Sequence, residues 1–210
     1  MVSRTQLRLL AAGATTALGI AALGWQKHEK HGRGLLFSPS MGTMVDAART
    51  LNRGAGLLAT SVALDSALEH YRGDFQNRAM YTPLVTSTLS LLASGQGQQD
   101  PDAFASKVRD PIYVLTGLTG LVGAGFHLYN VTKRPGGMSW SNLFYAAPLG
   151  APAALVLSGL LGYYAERLRN ASSDAVPRVF GLPAGKSVAL MAAGGLLGTT
   201  AEAGLLHFRG

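Results

Sequence analysis

Residues 111–132 read PIYVLTGLTGLVGAGFHLYNVT, bounded by Asp110 and Lys133 and free of lysine, arginine, aspartate and glutamate. At 1.5 Å per residue a helix of this length rises about 33 Å, enough to cross a bilayer core of about 30 Å. Asp110 followed by Pro111 suits a helix start, because proline in the first turn gives up an amide that has no intrahelical acceptor there. Gly117, Gly120, Gly123 and Gly125 fall inside the stretch. In water each would cost about 1 kcal/mol relative to alanine, whereas between membrane helices glycine lets two backbones approach closely. The stretch reads as one span of a helical membrane protein.

Outward from it the pattern recurs. Leu9 to Gln26, Ala79 to Gln99, Gly136 to Ala165 and Ser187 to Ala201 are also uncharged. The chain is 48% hydrophobic and only 14% charged, and a globule of 210 residues could not bury so many apolar runs in one soluble core. The predicted fold is an all-α integral membrane protein. It forms a single transmembrane domain over residues 1–210, a bundle of about six transmembrane helices near 7–25, 44–71, 79–94, 111–130, 143–168 and 183–208.

Local signals refine these bounds. Arg4 and Arg8 ahead of an apolar stretch resemble a secretory signal, but no convincing small-x-small cleavage site precedes Trp25, so residues 7–25 read as a retained first helix. Thr43 is the expected N-cap of the second helix, with Asp46, Arg49 and Arg53 in the head groups and Gly54 to Leu68 entering the bilayer. Pro83 is placed in the first turn of the third, and Gly95 to Asp102 as a polar loop. Pro148, Gly150 and Pro152 predict a kink or a short unwound segment in the fifth.

The absence of cysteine excludes disulfides, thiolate metal sites, iron–sulfur clusters and covalent haem attachment through CxxCH. The net charge of +7 is carried at the ends of apolar runs rather than along one polar face, which points to anionic lipid head groups and not to nucleic acid. No phosphate loop, nucleophile elbow, zinc-protease helix or dinucleotide fingerprint is present. A non-catalytic or electron-transfer membrane subunit fits this better than a stand-alone enzyme.

One recurrence stands out. Asp65 to Gly73 reads DSALEHYRG and Glu202 to Gly210 reads EAGLLHFRG, so acid, histidine, aromatic, arginine and glycine share order and spacing. Gly125 to Asn130, GFHLYN, is a looser version without acid or arginine. In an alternating bundle the second, fourth and sixth helices finish on one side, placing His70, His127 and His207 near one interface and suggesting three related helix pairs. Neutral imidazole is the usual axial ligand of b-type haem, and histidines on facing helices can hold one iron between them. His70 with His207 is the first choice of ligands, with His127 as substitute or as a quinone contact. Arg72 and Arg209 are placed to grip haem propionates. The blander reading makes all these residues interfacial anchors.

Asp65, Glu69 and Glu202 are candidates for proton or cation handling, because ionisable groups at depth are costly. Asp65 lies five residues before His70, about 140° around the helix, so no carboxylate–imidazole dyad is expected between them. His28 and His31 share a segment with Lys27, Lys30 and Arg33 and read as a solvated basic loop rather than a metal site. Lysine and arginine number 7 on the side of the termini and 11 on the other, which by the positive-inside rule puts the termini outside the cytoplasm.

Three functions compete on these grounds. The first is a membrane subunit of an electron-transfer complex, with haem b or a quinone near His70, His127 and His207. The second is a small transporter or channel using Asp65, Glu69 and Glu202 and a broken helix at Pro148 to Pro152. The third is a purely structural anchor without cofactor. The lipid bilayer and other subunits of a membrane complex are the expected partners, and the Ala-, Gly-, Leu- and Arg-rich composition resembles bacterial inner-membrane proteins.

Overall fold

The computed structural model describes residues 41–145, 149–171 and 176–208. They are mostly helical: α1 (Met41–Arg72), a 3-10 turn (Arg78–Tyr81), α2 (Thr82–Gln99), α3 (Arg109–Thr132), the short α4 (Trp140–Tyr145), α5 (Gly150–Arg169) and α6 (Ala184–Phe208). Between α5 and α6 the two-residue strands β1 (Arg178–Val179) and β2 (Leu182–Pro183) pair antiparallel. Phe180 and Gly181 turn that hairpin with positive φ, the left-handed conformation a two-residue connection needs.

The helical class expected from the sequence is present, but six membrane spans are not confirmed. By length and composition α3 alone among the described residues is apolar enough to cross a membrane, and α4 is only six residues long. The helix expected over 7–25 lies outside the described residues. The segment expected as one helix over 143–168 consists of α4 and α5, with Leu149 ahead of α5 and Pro152 in its first turn. Pro148 lies outside the described residues.

Two other boundaries moved for identifiable reasons. The third expected helix begins at Thr82, with Pro83 in the first turn, and continues past Ser94 to Gln99. Gly97 is kept helical by its neighbours: a Cβ there would fall 2.4 Å from Asn52 Nδ2, so glycine is what lets Asn52 lie against this turn. α3 starts at Arg109 rather than Pro111, because the Ser106 hydroxyl accepts the amides of both Val108 and Arg109 and caps the helix before Asp110.

α1 packs on α2 and α5, and α3 packs on the same two, so these four helices close a ring. Neighbours are antiparallel. The register is clearest between α3 and α5, where Arg109 meets Glu166, Tyr113 meets Gly162, Gly117 meets Gly159 and Gly120 meets Val156. The spacing of three to four residues on both helices puts all of these on one facing stripe. Glycine is obligatory there. A Cβ on Gly159 would sit 2.4 Å from the Gly117 amide nitrogen, and one on Gly120 would sit 2.6 Å from the Val156 amide nitrogen.

α6 joins the bundle at its start. Ala184 is buried with Met44 and Ala48 of α1 and Tyr164, Ala165 and Leu168 of α5, and Val188 and Met191 pack on that cluster. Farther along, Gly194 and Gly198 have open space beside them and Leu196 and Leu197 are exposed.

Candidate functional site

The four-helix ring has a mixed interior and a largely apolar outer face. Inside, beside the apolar Ala55, Ala59, Val62, Ala93 and Leu155, are the hydroxyls of Ser87, Ser90, Ser94, Thr116 and Ser158, and Asn52. Outside are Leu57, Leu64, Leu91, Leu92, Leu115, Leu118, Leu121, Val122 and Phe126, with Leu118 53% and Phe126 60% exposed. The hydroxyls are paired. Tyr113 donates to Asn52 Oδ1 at 2.6 Å and Ser94 lies 3.3 Å from the same phenol oxygen. Ser158 donates to the Ala55 carbonyl at 2.9 Å, which leaves Ser90 to donate to Ser158 at 2.9 Å. These bonds join α1, α2, α3 and α5 across the ring.

One end of the ring is closed by buried charge. Arg109, the first residue of α3 and only 2% exposed, donates from Nε to Glu166 Oε1 at 2.8 Å and from Nη2 to Oε2 at 3.2 Å, while Nη2 also lies 2.7 Å from Asp100 Oδ2. Glu166, fully buried, accepts the Ser106 amide as well. One turn farther along α5, Arg169 donates to the carbonyls of Gly97, Asp100 and Asp102, and Arg49 of α1 donates to that of Asp100. The last carbonyls of α2 have no intrahelical partners and carry the negative end of the helix dipole, so guanidinium groups satisfy both needs. Asp110 and Arg167 pair beside this network, and Arg167 lies over the Tyr163 ring. A polar cleft of about 530 Å³ opens next to it, lined by Gln96, Gln99, Asp102, Phe104 and Arg109 among others.

Burial pushes the Asp100 carboxyl up, but the Asp102 amide and the Arg109 guanidinium outweigh it and hold it below the ordinary carboxylate range. A depressed folded-state pKa gives stability that is present above the unfolded carboxylate pKa and is lost as pH falls through the folded value. Thermal stability of the purified protein is expected to fall on acidification below about pH 4. Asp100→Asn is expected to be less stable than wild type at neutral pH, with the difference closing as pH falls; thermal melts of both proteins between pH 3 and pH 7 measure it.

At the opposite end lie His70 near the end of α1 and His127 in the last turns of α3. Each is half-buried. The His70 ring Nδ1 lies 2.6 Å from the Met80 carbonyl oxygen. Only a protonated nitrogen can make that contact, so Nδ1 carries a proton. Phe75 stands edge-on to the His70 ring and stacks on Tyr81. Glu69 and Arg72, both exposed, pair with each other at 2.8 Å. Asp65 is exposed on α1 within electrostatic reach of Glu69 and His70. The expected pairing of His70 with His207 cannot be followed, because the side chains of Glu202 and His207 and the whole of Arg209 lie outside the described residues, as do His28 and His31.

The sequence reading missed the charged end. Arg109 and Arg169 figured only as loop charges in the orientation count, and Glu166 went unremarked one residue beyond an uncharged run. The available signal was Glu166 and Arg169 three residues apart, hence on one face of α5, with a tyrosine–glycine stripe running up to them.

Fold and site together define a glycine-packed helical bundle with a hydroxylated interior, one ion-paired end and one histidine-bearing end. No protein-family profile, curated protein or solved structure matches the chain.

Proposed function

We propose that this chain is an integral membrane protein whose α1–α2–α3–α5 ring is embedded in lipid, and that it serves as a subunit of a larger membrane complex. The observation that carries the reading is the apolar outer face of the ring, set over an interior that holds several interhelical hydroxyl bonds. In water, apolar side chains are driven inward and an outer surface of leucine, valine and phenylalanine is a liability. In lipid nothing drives leucines together, and helices associate instead through small residues and interhelical hydrogen bonds. The inward-facing hydroxyls also explain why, among the described residues, hydropathy selects α3 alone. α2 turns Thr86, Ser87, Ser90 and Ser94 inward, so its average hydropathy is lowered by residues that lipid would never touch.

The charges suit the same placement. Arg49, Asp100, Arg109, Glu166, Arg167 and Arg169 gather at one end, and Glu69, His70, Arg72, Arg78, Lys133 and Arg134 belong to the other. The rise from Arg109 to Lys133 is about 36 Å, close to a bilayer core plus its margins. A subunit role is supported by α6, whose open glycines and exposed leucines offer a face on which another helix can pack. Composition favours a bacterial inner membrane as its location.

The lack of cysteine makes a direct test available. Single-cysteine variants Leu118→Cys and Lys107→Cys, expressed in membranes, are treated with a membrane-impermeant maleimide from each side in turn. Lys107→Cys is expected to label from one side only and Leu118→Cys from neither, with the protein retained in the pellet after alkaline carbonate. Release into the carbonate supernatant, or labelling of Leu118→Cys as fast as Lys107→Cys, would refute the membrane placement.

A further inference from the structure

We infer that the cleft at the charged end of the ring binds the headgroup of an aminophospholipid, taking the primary ammonium of phosphoethanolamine at Asp102. The inference rests on the membrane-subunit reading and deepens it to a ligand. The cleft holds about 530 Å³, inside the range of about 300–1,000 Å³ that small-ligand sites occupy. Its walls come from the last turn of α2, the connection through Asp102, Phe104 and Ser106, and Arg109 at the start of α3. The connection is pinned through its backbone. The Asp102 amide donates to Asp100 Oδ1 at 2.9 Å, the Asp102 carbonyl accepts from Arg169, and the Ala105 amide donates to Asn170 Oδ1 at 2.9 Å.

The free groups decide the ligand. The Arg109 guanidinium is divided between Glu166 and Asp100, so the one cation in the walls is already neutralised. Among the described residues nothing pairs with the side chains of Gln96, Gln99 or Asp102. A carboxylate and two amide oxygens, set at the negative C-terminal end of α2, attract a cation and call for hydrogen-bond donors. A primary ammonium supplies three donors. A quaternary choline supplies none and is recognised by cages of several aromatic rings, whereas Phe104 is the single aromatic residue among those lining the cleft. The surroundings favour a lipid over a free amine. Phe104 and Val108 are 78% and 65% exposed on this connection, and such side chains are withdrawn from water by entering the acyl region beside the headgroups. Lys107, between them in the chain and exposed, offers its charge to the phosphate.

The test uses the full chain, purified in detergent and stripped of native lipid. It is mixed with dioleoyl phosphatidylethanolamine, phosphatidylcholine or phosphatidylglycerol, and native mass spectrometry counts the lipid bound. Phosphatidylethanolamine is expected to bind more tightly than either of the others. Asp102→Asn, which keeps the backbone contacts, is expected to weaken phosphatidylethanolamine by about ten-fold or more and to leave phosphatidylglycerol unchanged, with helix content and melting as in wild type. Asp74→Asn, which removes an exposed carboxylate at the opposite end, is expected to bind as wild type does. Equal binding of phosphatidylethanolamine and phosphatidylcholine, or an Asp102→Asn protein that keeps the wild-type preference, overturns the inference. Soluble O-phosphoethanolamine separates the two sources of the headgroup: it is expected to compete only far above the lipid concentration, and competition at equal concentration overturns the lipid as source. Carbonate extraction reads the membrane placement separately. A chain that resists carbonate but shows no Asp102-dependent preference loses this inference alone, and a chain released by carbonate that still binds O-phosphoethanolamine through Asp102 loses the membrane reading and the lipid source.

Discussion

Glu166→Ala is expected to destabilise the protein by about 3–5 kcal/mol, the cost of leaving a buried charge without its partner. Glu166 is fully buried and holds Arg109 through two hydrogen bonds, while a third contact fixes the Ser106 amide. Its removal strands the Arg109 guanidinium against Asp100 alone and weakens the electrostatic balance around Arg169, whose Nε already has no hydrogen-bond partner. It also loosens the 100–108 connection at the residue that caps α3, so the loss extends from an ion pair to a helix start. Lys107→Ala, on the same connection and exposed, is the control and is expected to change stability by no more than about 0.5 kcal/mol. Thermal unfolding of the detergent-solubilised proteins measures both. A Glu166→Ala protein as stable as the control would mean that the buried network contributes nothing net.

The second large effect is steric. Gly159→Ala is expected to cost about 3 kcal/mol, at the upper end of overpacking penalties, because the added methyl meets the Gly117 backbone and the Tyr113 carbonyl rather than a side chain that can swing away. α3 and α5 would have to separate, and that shift would stretch the Arg109–Glu166 pair at one end and the Tyr113–Asn52 bond beside it. Gly125→Ala provides the opposite sign. It adds the same methyl to α3 where nothing lies within 4 Å, so relief of backbone entropy is expected to stabilise the helix by up to about 1 kcal/mol. Equal melting shifts for the two variants would contradict the close approach of α3 and α5.

Both predictions fall on residues that the sequence ranked low. Glu166 looked like any charge at the end of an apolar run, since nothing local tells a head-group carboxylate from one that will be enclosed by three other helices. Its partner Arg109 lies 57 residues away in the chain, and only the antiparallel packing of α3 and α5 brings them together. The distance between His70 and His207 is of the same kind. Equal spacing in two nine-residue stretches speaks of likeness between segments and not of distance between them.

Local features were legible because their causes are local. The long uncharged stretch over 111–132 is helical as Arg109–Thr132, and Pro83 sits in the first turn of its helix. Each follows from charge spacing or from the missing amide of proline, which act within one turn of the chain. The glycines of α3 also announced a tight contact. What they could not announce was the partner. Gly117 and Gly120 meet α5 because Gly159, Val156 and Pro152 recur there at the matching interval, and the resulting ring then decides which serines face inward, which leucines face outward and which arginine is buried. Chain-local chemistry determined the helices; the complementarity of their faces, a property of pairs of segments far apart in sequence, decided the polar interior and both ends.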